Sequence, residues 1–86
     1  MARYRVFYVP SADKALAKLP DAVQKRIAAA TQDLGDDPRP PGCVKLKGET
    51  DLWRIRVGDY RVVYTIEDDK LLVLVVRVAH RKDVYR

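Results

Sequence analysis

The sequence predicts an α+β domain in which a helical hairpin covers one face of a small, mainly antiparallel four-stranded sheet, in the order strand, helix, helix, three strands. Three observations predict it. Two alternating runs meet at Gly58-Asp59, the pattern of a tight β-hairpin. Two stretches of helical apolar spacing sit back to back around Pro20. A nearly continuous apolar run, Leu71 to Val78, reads as a central strand covered on both faces.

Arg3 to Val9 alternates charged or aromatic residues with apolar ones and ends at Pro10, which cannot continue a central strand. This is the first strand. Ser11 is a good N-cap, and Ala12, Ala15, Leu16 and Leu19 recur at helical spacing until Pro20. Pro20 suits the first turn of a second helix, and Asp21 complements its dipole. Val23, Ile27, Ala30 and Leu34 then fall on one stripe, before Gly35 and Pro38 stop it. Asp36 to Gly42 holds three prolines and a glycine and is loop, leading into Lys45-Leu46-Lys47-Gly48.

The hairpin follows. A two-residue Gly58-Asp59 turn sets Val57 opposite Tyr60, Arg56 opposite Arg61, Ile55 opposite Val62 and Trp53 opposite Tyr64. Trp53, Ile55, Val57, Tyr60, Val62 and Tyr64 then form a core face, and Arg54, Arg56 and Arg61 take the other. Glu67 to Lys70 is a polar turn, Leu71 to Val78 the last strand, and Ala79 to Arg86 a basic, aromatic tail. The last strand is expected to border the first, giving the order 1-4-3-2.

At 86 residues the chain is one domain, 1–86, with room for a single modest core. Cys43 is the only cysteine, so an intrachain disulfide is impossible and a reducing, cytoplasmic setting is expected. No apolar run approaches a membrane span, and the N-terminus shows no secretory h-region. One histidine and one cysteine cannot assemble the usual zinc site, so neither a metal nor a cofactor is expected. The net charge of +5 favours polyanionic or acidic partners.

Opposed arginines without a carboxylate among them cost a few tenths to ~1 kcal/mol, which suggests that an anion belongs there. An RNA phosphate is the candidate. Asp59, Glu67, Asp68 and Asp69 all fall in turns, which keeps acidic groups off that face.

Three motifs carry a family resemblance: Leu46-Lys47-Gly48, Trp53 through Tyr64 with its Gly58-Asp59-Tyr60-Arg61 core, and Val78-Ala79-His80-Arg81-Lys82-Asp83-Val84-Tyr85. The chain resembles RelE-type toxins of the RelE/ParE superfamily along essentially its whole length. The resemblance implies the toxin of a type II toxin-antitoxin pair, an endoribonuclease that cuts messenger RNA in the ribosomal A site and stops translation. It implies attack of a ribose 2′-hydroxyl on the adjacent phosphate without a metal, leaving a 2′,3′-cyclic phosphate and a free 5′-hydroxyl. Arg54 and Arg56 stand where relatives carry basic residues that bind the message, and Arg61 and Arg81 match family arginines. Tyr85 matches a tyrosine that meets the nucleotide at the scissile site or assists proton transfer. The implied partners are the ribosome with its message, and a RelB-like or other acidic antitoxin in a hetero-oligomer.

Arginine suits only part of this chemistry. Its charged fork matches two phosphate oxygens, so Arg61 and Arg81 are read as transition-state clamps, but it is a poor acid or base. Tyr85, His80 or a lysine is left to move protons. Tyr85 fits as a base among Arg81, Lys82 and Arg86, as a stacking platform, or as a packed anchor for the tail. His80 has the right unperturbed pKa for acid or base work, yet a lone histidine just past a strand is equally a structural residue. Lys45 and Lys47 steer RNA backbone or line a solvated loop. Two rival functions use the same fold and charge: a ParE-like DNA gyrase inhibitor, and a non-enzymatic module that binds only an antitoxin or nucleic acid.

Overall fold

The computed structural model describes residues 3–48 and 51–82. Its elements are β1 (Arg5–Tyr8), α1 (Pro10–Ala17), α2 (Asp21–Asp33), β2 (Val44–Lys45), β3 (Leu52–Val57), β4 (Tyr60–Glu67) and β5 (Leu72–His80), with a 3-10 turn at Asp68–Lys70. The strands form one sheet in the order β1-β5-β4-β3-β2. The fold class is as expected, and the predicted 1-4-3-2 order is present in β1, β5, β4 and β3. The expected count of four strands is corrected to five. Val44–Lys45 adds an outer strand too short to show any periodicity. β1 runs parallel to β5 and every other pair is antiparallel, so the sheet is mixed.

Local chemistry explains the helix boundaries. Ser11 does not cap α1. Val9 is the N-cap and Pro10 occupies the first turn, where its fixed φ suits a helix and its missing N–H costs nothing. Pro20 likewise stands at the N-cap of α2, one position before the helix. On α2, Ile27 and Thr31 are buried, as is the C-cap Leu34, while Val23 and Ala30 lie half-buried at the margin of the core. Thr31 is tolerated there because its hydroxyl bonds the Tyr8 hydroxyl at 2.7 Å and donates to Ala28 O at 3.0 Å. Gly35 is required by close approach: a Cβ would stand 2.8 Å from the Arg3 guanidinium and 2.9 Å from Tyr4 O.

The core lies between the helices and one sheet face, and includes Ile27, Leu34, Ile55, Val62, Tyr64, Val73, Val75 and Val78. Tyr64 is fully buried, and its hydroxyl donates to Pro38 O at 2.7 Å, which ties the proline-rich loop to the sheet. Burial pushes its phenol well above the ordinary value, with Cys43 adding to the shift. The expectation that β5 is covered on both faces is corrected. Val73, Val75 and Val78 face the helices, whereas Leu72, Leu74 and Val76 remain partly exposed.

A bulge sets this division. Val63 pairs with Arg77 and Tyr64 with Val75, leaving Val76 as an extra residue on β5. The extra residue shifts the phase of the strand, so Val78 enters the core and Arg77 is turned to the opposite face.

Candidate nucleic-acid interface

The β3–β4 register is the one expected, with Arg56 opposite Arg61, Ile55 opposite Val62 and Trp53 opposite Tyr64. Across three strands Arg54, Val63 and Arg77 form one row, and Arg56, Arg61 and Ala79 the next. Directly paired residues share a face, so Arg54, Arg56, Arg61 and Arg77 stand together on the sheet face away from the helices, with Arg5, paired with Leu72, on the same face at the β1 edge. Arg77 was missed from sequence. Its only signal was the broken alternation of Val75-Val76-Arg77-Val78, which a bulge resolves.

The arginines differ in setting. Arg54 is buried, with Val44 and Val63 as its direct neighbours in the register on either side. Arg56 is exposed and Arg61 half-buried. Arg61 donates from Nη1 to Tyr60 O at 3.3 Å, and its Nε is buried without a hydrogen-bond partner among the described residues. Neither Arg56 nor Arg61 has a carboxylate within salt-bridge distance among those residues. The expectation that Glu67 lies in a turn off this face is corrected: it ends β4 opposite Leu72, on the arginine side of the sheet by alternation. It pairs with Lys70 rather than with Arg56 or Arg61, while Asp36 pairs with Arg3, Asp51 with Lys45 and Asp68 with Arg39.

Other predicted site residues take different places. Lys45 pairs with Trp53 in the register, lies 3.6 Å from Asp51 and stands 5.8 Å from the Trp53 ring centre, so it belongs to the helix-side face. Lys47 is exposed in the bend after β2. Arg81 stands at the hairpin tip: its backbone N–H donates to Asp59 O at 2.8 Å, and its Nη1 lies 3.9 Å from Asp59 Oδ1. His80, opposite Tyr60, packs edge-on against that ring on the face away from Arg61. Tyr85 falls outside the described residues.

The arginine face can therefore bind and neutralise phosphate, but its described part holds no histidine or tyrosine. Tyr4, Tyr8, Tyr60 and Tyr64 all belong to the helix side by register or by packing against the core. Among the described residues no group of three or more His, Cys, Asp or Glu side chains converges to hold a metal. No helix among them is long and apolar enough to cross a membrane.

The model of the ParE toxin family of type II toxin-antitoxin systems matches residues 6–85. The chain belongs to the RelE/ParE toxin superfamily. Its relatives place it on the RelE side. A RelE-like toxin protein of Escherichia coli is 36% identical over 87 residues, spanning 96% of this chain and 90% of that one. The archaeal RelE-RelB complex from Pyrococcus horikoshii contains a chain with TM-score 0.81 and 31% identity, covering 94% and 98% of the two chains. The RelBE2 toxin-antitoxin complex of Mycobacterium tuberculosis gives 0.83 and 32%, covering 96% and 97%. This RelE-type toxin thus shares the full extent of the fold with those proteins.

Proposed function

We propose that this RelE-type toxin is an endoribonuclease that cuts messenger RNA held in the ribosomal A site. The observation that carries the reading is the direct opposition of Arg56 and Arg61, with no carboxylate in reach of either among the described residues. In the reaction the ribose O2′ loses its proton and bonds to the adjacent phosphorus, the P–O5′ bond breaks, and O5′ takes up a proton. Extra negative charge accumulates on the phosphate oxygens midway. Guanidinium groups at Arg61 and Arg81 meet that charge, and Arg54 and Arg56 hold the flanking backbone. The described part of the arginine face offers no group to accept the 2′-hydroxyl proton, so Tyr85 or a ribosomal group takes it. The other of these, or the same group in its protonated form, supplies the proton that O5′ takes up. The ribosome orders the message so that one 2′-hydroxyl lines up for attack.

An acidic antitoxin is the proposed regulatory partner in a hetero-oligomer. Two of the similar structures are toxin-antitoxin complexes. Beside the arginines the same sheet face bears Phe7, half exposed, with Leu72, Leu74 and Val76. A helix carrying apolar and acidic residues would cover both parts at once.

The ParE description of the matching family model keeps gyrase inhibition as the rival. Induced expression followed by mapping of message ends and measurement of plasmid supercoiling separates the two. New message ends within translated frames with normal supercoiling are expected. Growth arrest with intact messages and lost supercoiling would establish the rival.

A further inference from the structure

We infer that His80 is a positioning residue: its imidazole holds the Arg81–Lys82 turn and so sets where the Arg81 guanidinium stands at the hairpin tip. The role in cleavage rests on the ribonuclease reading. Three contacts carry it. His80 is the last residue of β5 and pairs with Tyr60, which points its ring to the helix side, away from Arg61 and Ala79. There it meets the Tyr60 ring edge-on, with centroids 5.4 Å apart and planes at 85°. Its Nδ1 accepts the Lys82 backbone N–H at 3.3 Å.

Each contact has a consequence. The edge-on packing limits the ring's rotation. The bond to Lys82 closes a side-chain-to-backbone turn two residues on, of the kind asparagine and aspartate make. It also takes up Nδ1, so in the neutral ring the proton sits on Nε2. Between the two anchors, the Arg81 N–H bonds Asp59 O at 2.8 Å and continues the ladder past the end of the strand. Arg81 is thus held from both sides, by His80 through Lys82 and by Asp59 directly. Tyr60, whose neighbour Arg61 faces the other way, links the two faces of the sheet at this point.

His80→Asn keeps an acceptor for the Lys82 N–H but cannot shuttle a proton near neutrality. His80→Phe keeps a ring against Tyr60 but has no acceptor. On ribosomes programmed with a defined message, His80→Asn is expected to cleave within about fivefold of wild type. His80→Phe is expected to fall as far as Arg81→Ala, about 100-fold or more. The His80→Phe/Arg81→Ala double variant should be no slower than Arg81→Ala alone. Equal, large losses in both His80 variants would assign proton transfer to His80 and overturn the inference. Amide exchange provides a readout independent of activity. Lys82 should lose protection in His80→Phe and keep it in His80→Asn, and identical exchange in wild type and both variants would overturn the inference. Wild-type protein that leaves the programmed message uncut would remove the ribonuclease reading, and the Lys82 exchange rates would then decide the positioning of Arg81 alone.

Discussion

Arg56 and Arg61 face each other across β3 and β4 with no carboxylate within salt-bridge distance among the described residues, so the folded chain tolerates a repulsion it does not need for folding. Such a pair costs a few tenths to ~1 kcal/mol. Arg56→Thr removes one charge, keeps good strand propensity and leaves no buried donor, since Arg56 is exposed. The variant is expected to unfold at higher urea by the equivalent of about 0.2–1 kcal/mol while binding programmed ribosomes more weakly. The stability gain should shrink in high salt, because screening relieves the wild-type repulsion as well. A variant that loses both stability and binding would mean that Arg56 serves the fold. Arg54 is the contrasting case, since it is buried at a position paired with Val44 on one side and Val63 on the other.

At the scale of elements, the hairpin was fully legible because a Gly-Asp turn and strict alternation leave one register. The last strand was only half legible. Its apolar run suggested burial on both faces, but the bulge at Val76 changes the phase and divides the strand between core and surface. For the same reason Arg77 could not be assigned to the arginine face from sequence. His80 could not be assigned to either face, because its side depends on the register with Tyr60. β2, at two residues, is too short to show any periodicity, and α1 starts at Pro10 rather than after Ser11 because Pro10 both ends a strand and begins a helix.

Three segments are joined by one carboxylate. Asp68 in the 3-10 turn accepts both Arg39 guanidinium nitrogens, at 3.1 and 2.9 Å, and the Tyr4 hydroxyl at 2.5 Å. The Arg39 fork, and then the Tyr4 hydroxyl, hold the Asp68 carboxyl at about 2, below its ordinary 3.8. A carboxylate with a lowered folded pKa stabilises fully above the unfolded value and loses that contribution as pH falls through the folded one. Asp68→Asn should therefore lower the urea midpoint at neutral pH, and the gap from wild type should close between pH 3.8 and 2. A gap that stays constant down to pH 2 would show that ionisation of Asp68 contributes nothing to stability.

At the scale of the molecule, the sheet divides its labour by face. One side buries the core against α1 and α2, and the other presents arginines beside an apolar strip. The net charge of +5 is consistent with attraction to a polyanion, but only the register concentrates that charge where a phosphate can be gripped. The fold is shared by toxins of the RelE and ParE kinds, so the arrangement of side chains on this face has to discriminate between them. The most direct test is single-turnover cleavage of a defined message on purified ribosomes by wild type and Arg61→Ala, with the chemistry of the new ends determined. The expected result is 2′,3′-cyclic phosphate ends with wild type, a rate about 100 to 1,000 times lower with Arg61→Ala, and only partial recovery with Arg61→Lys, which lacks the planar fork. Cleavage by Arg61→Ala at the wild-type rate, or no cleavage by wild type, would contradict the assignment of this face as the site where RNA is cut.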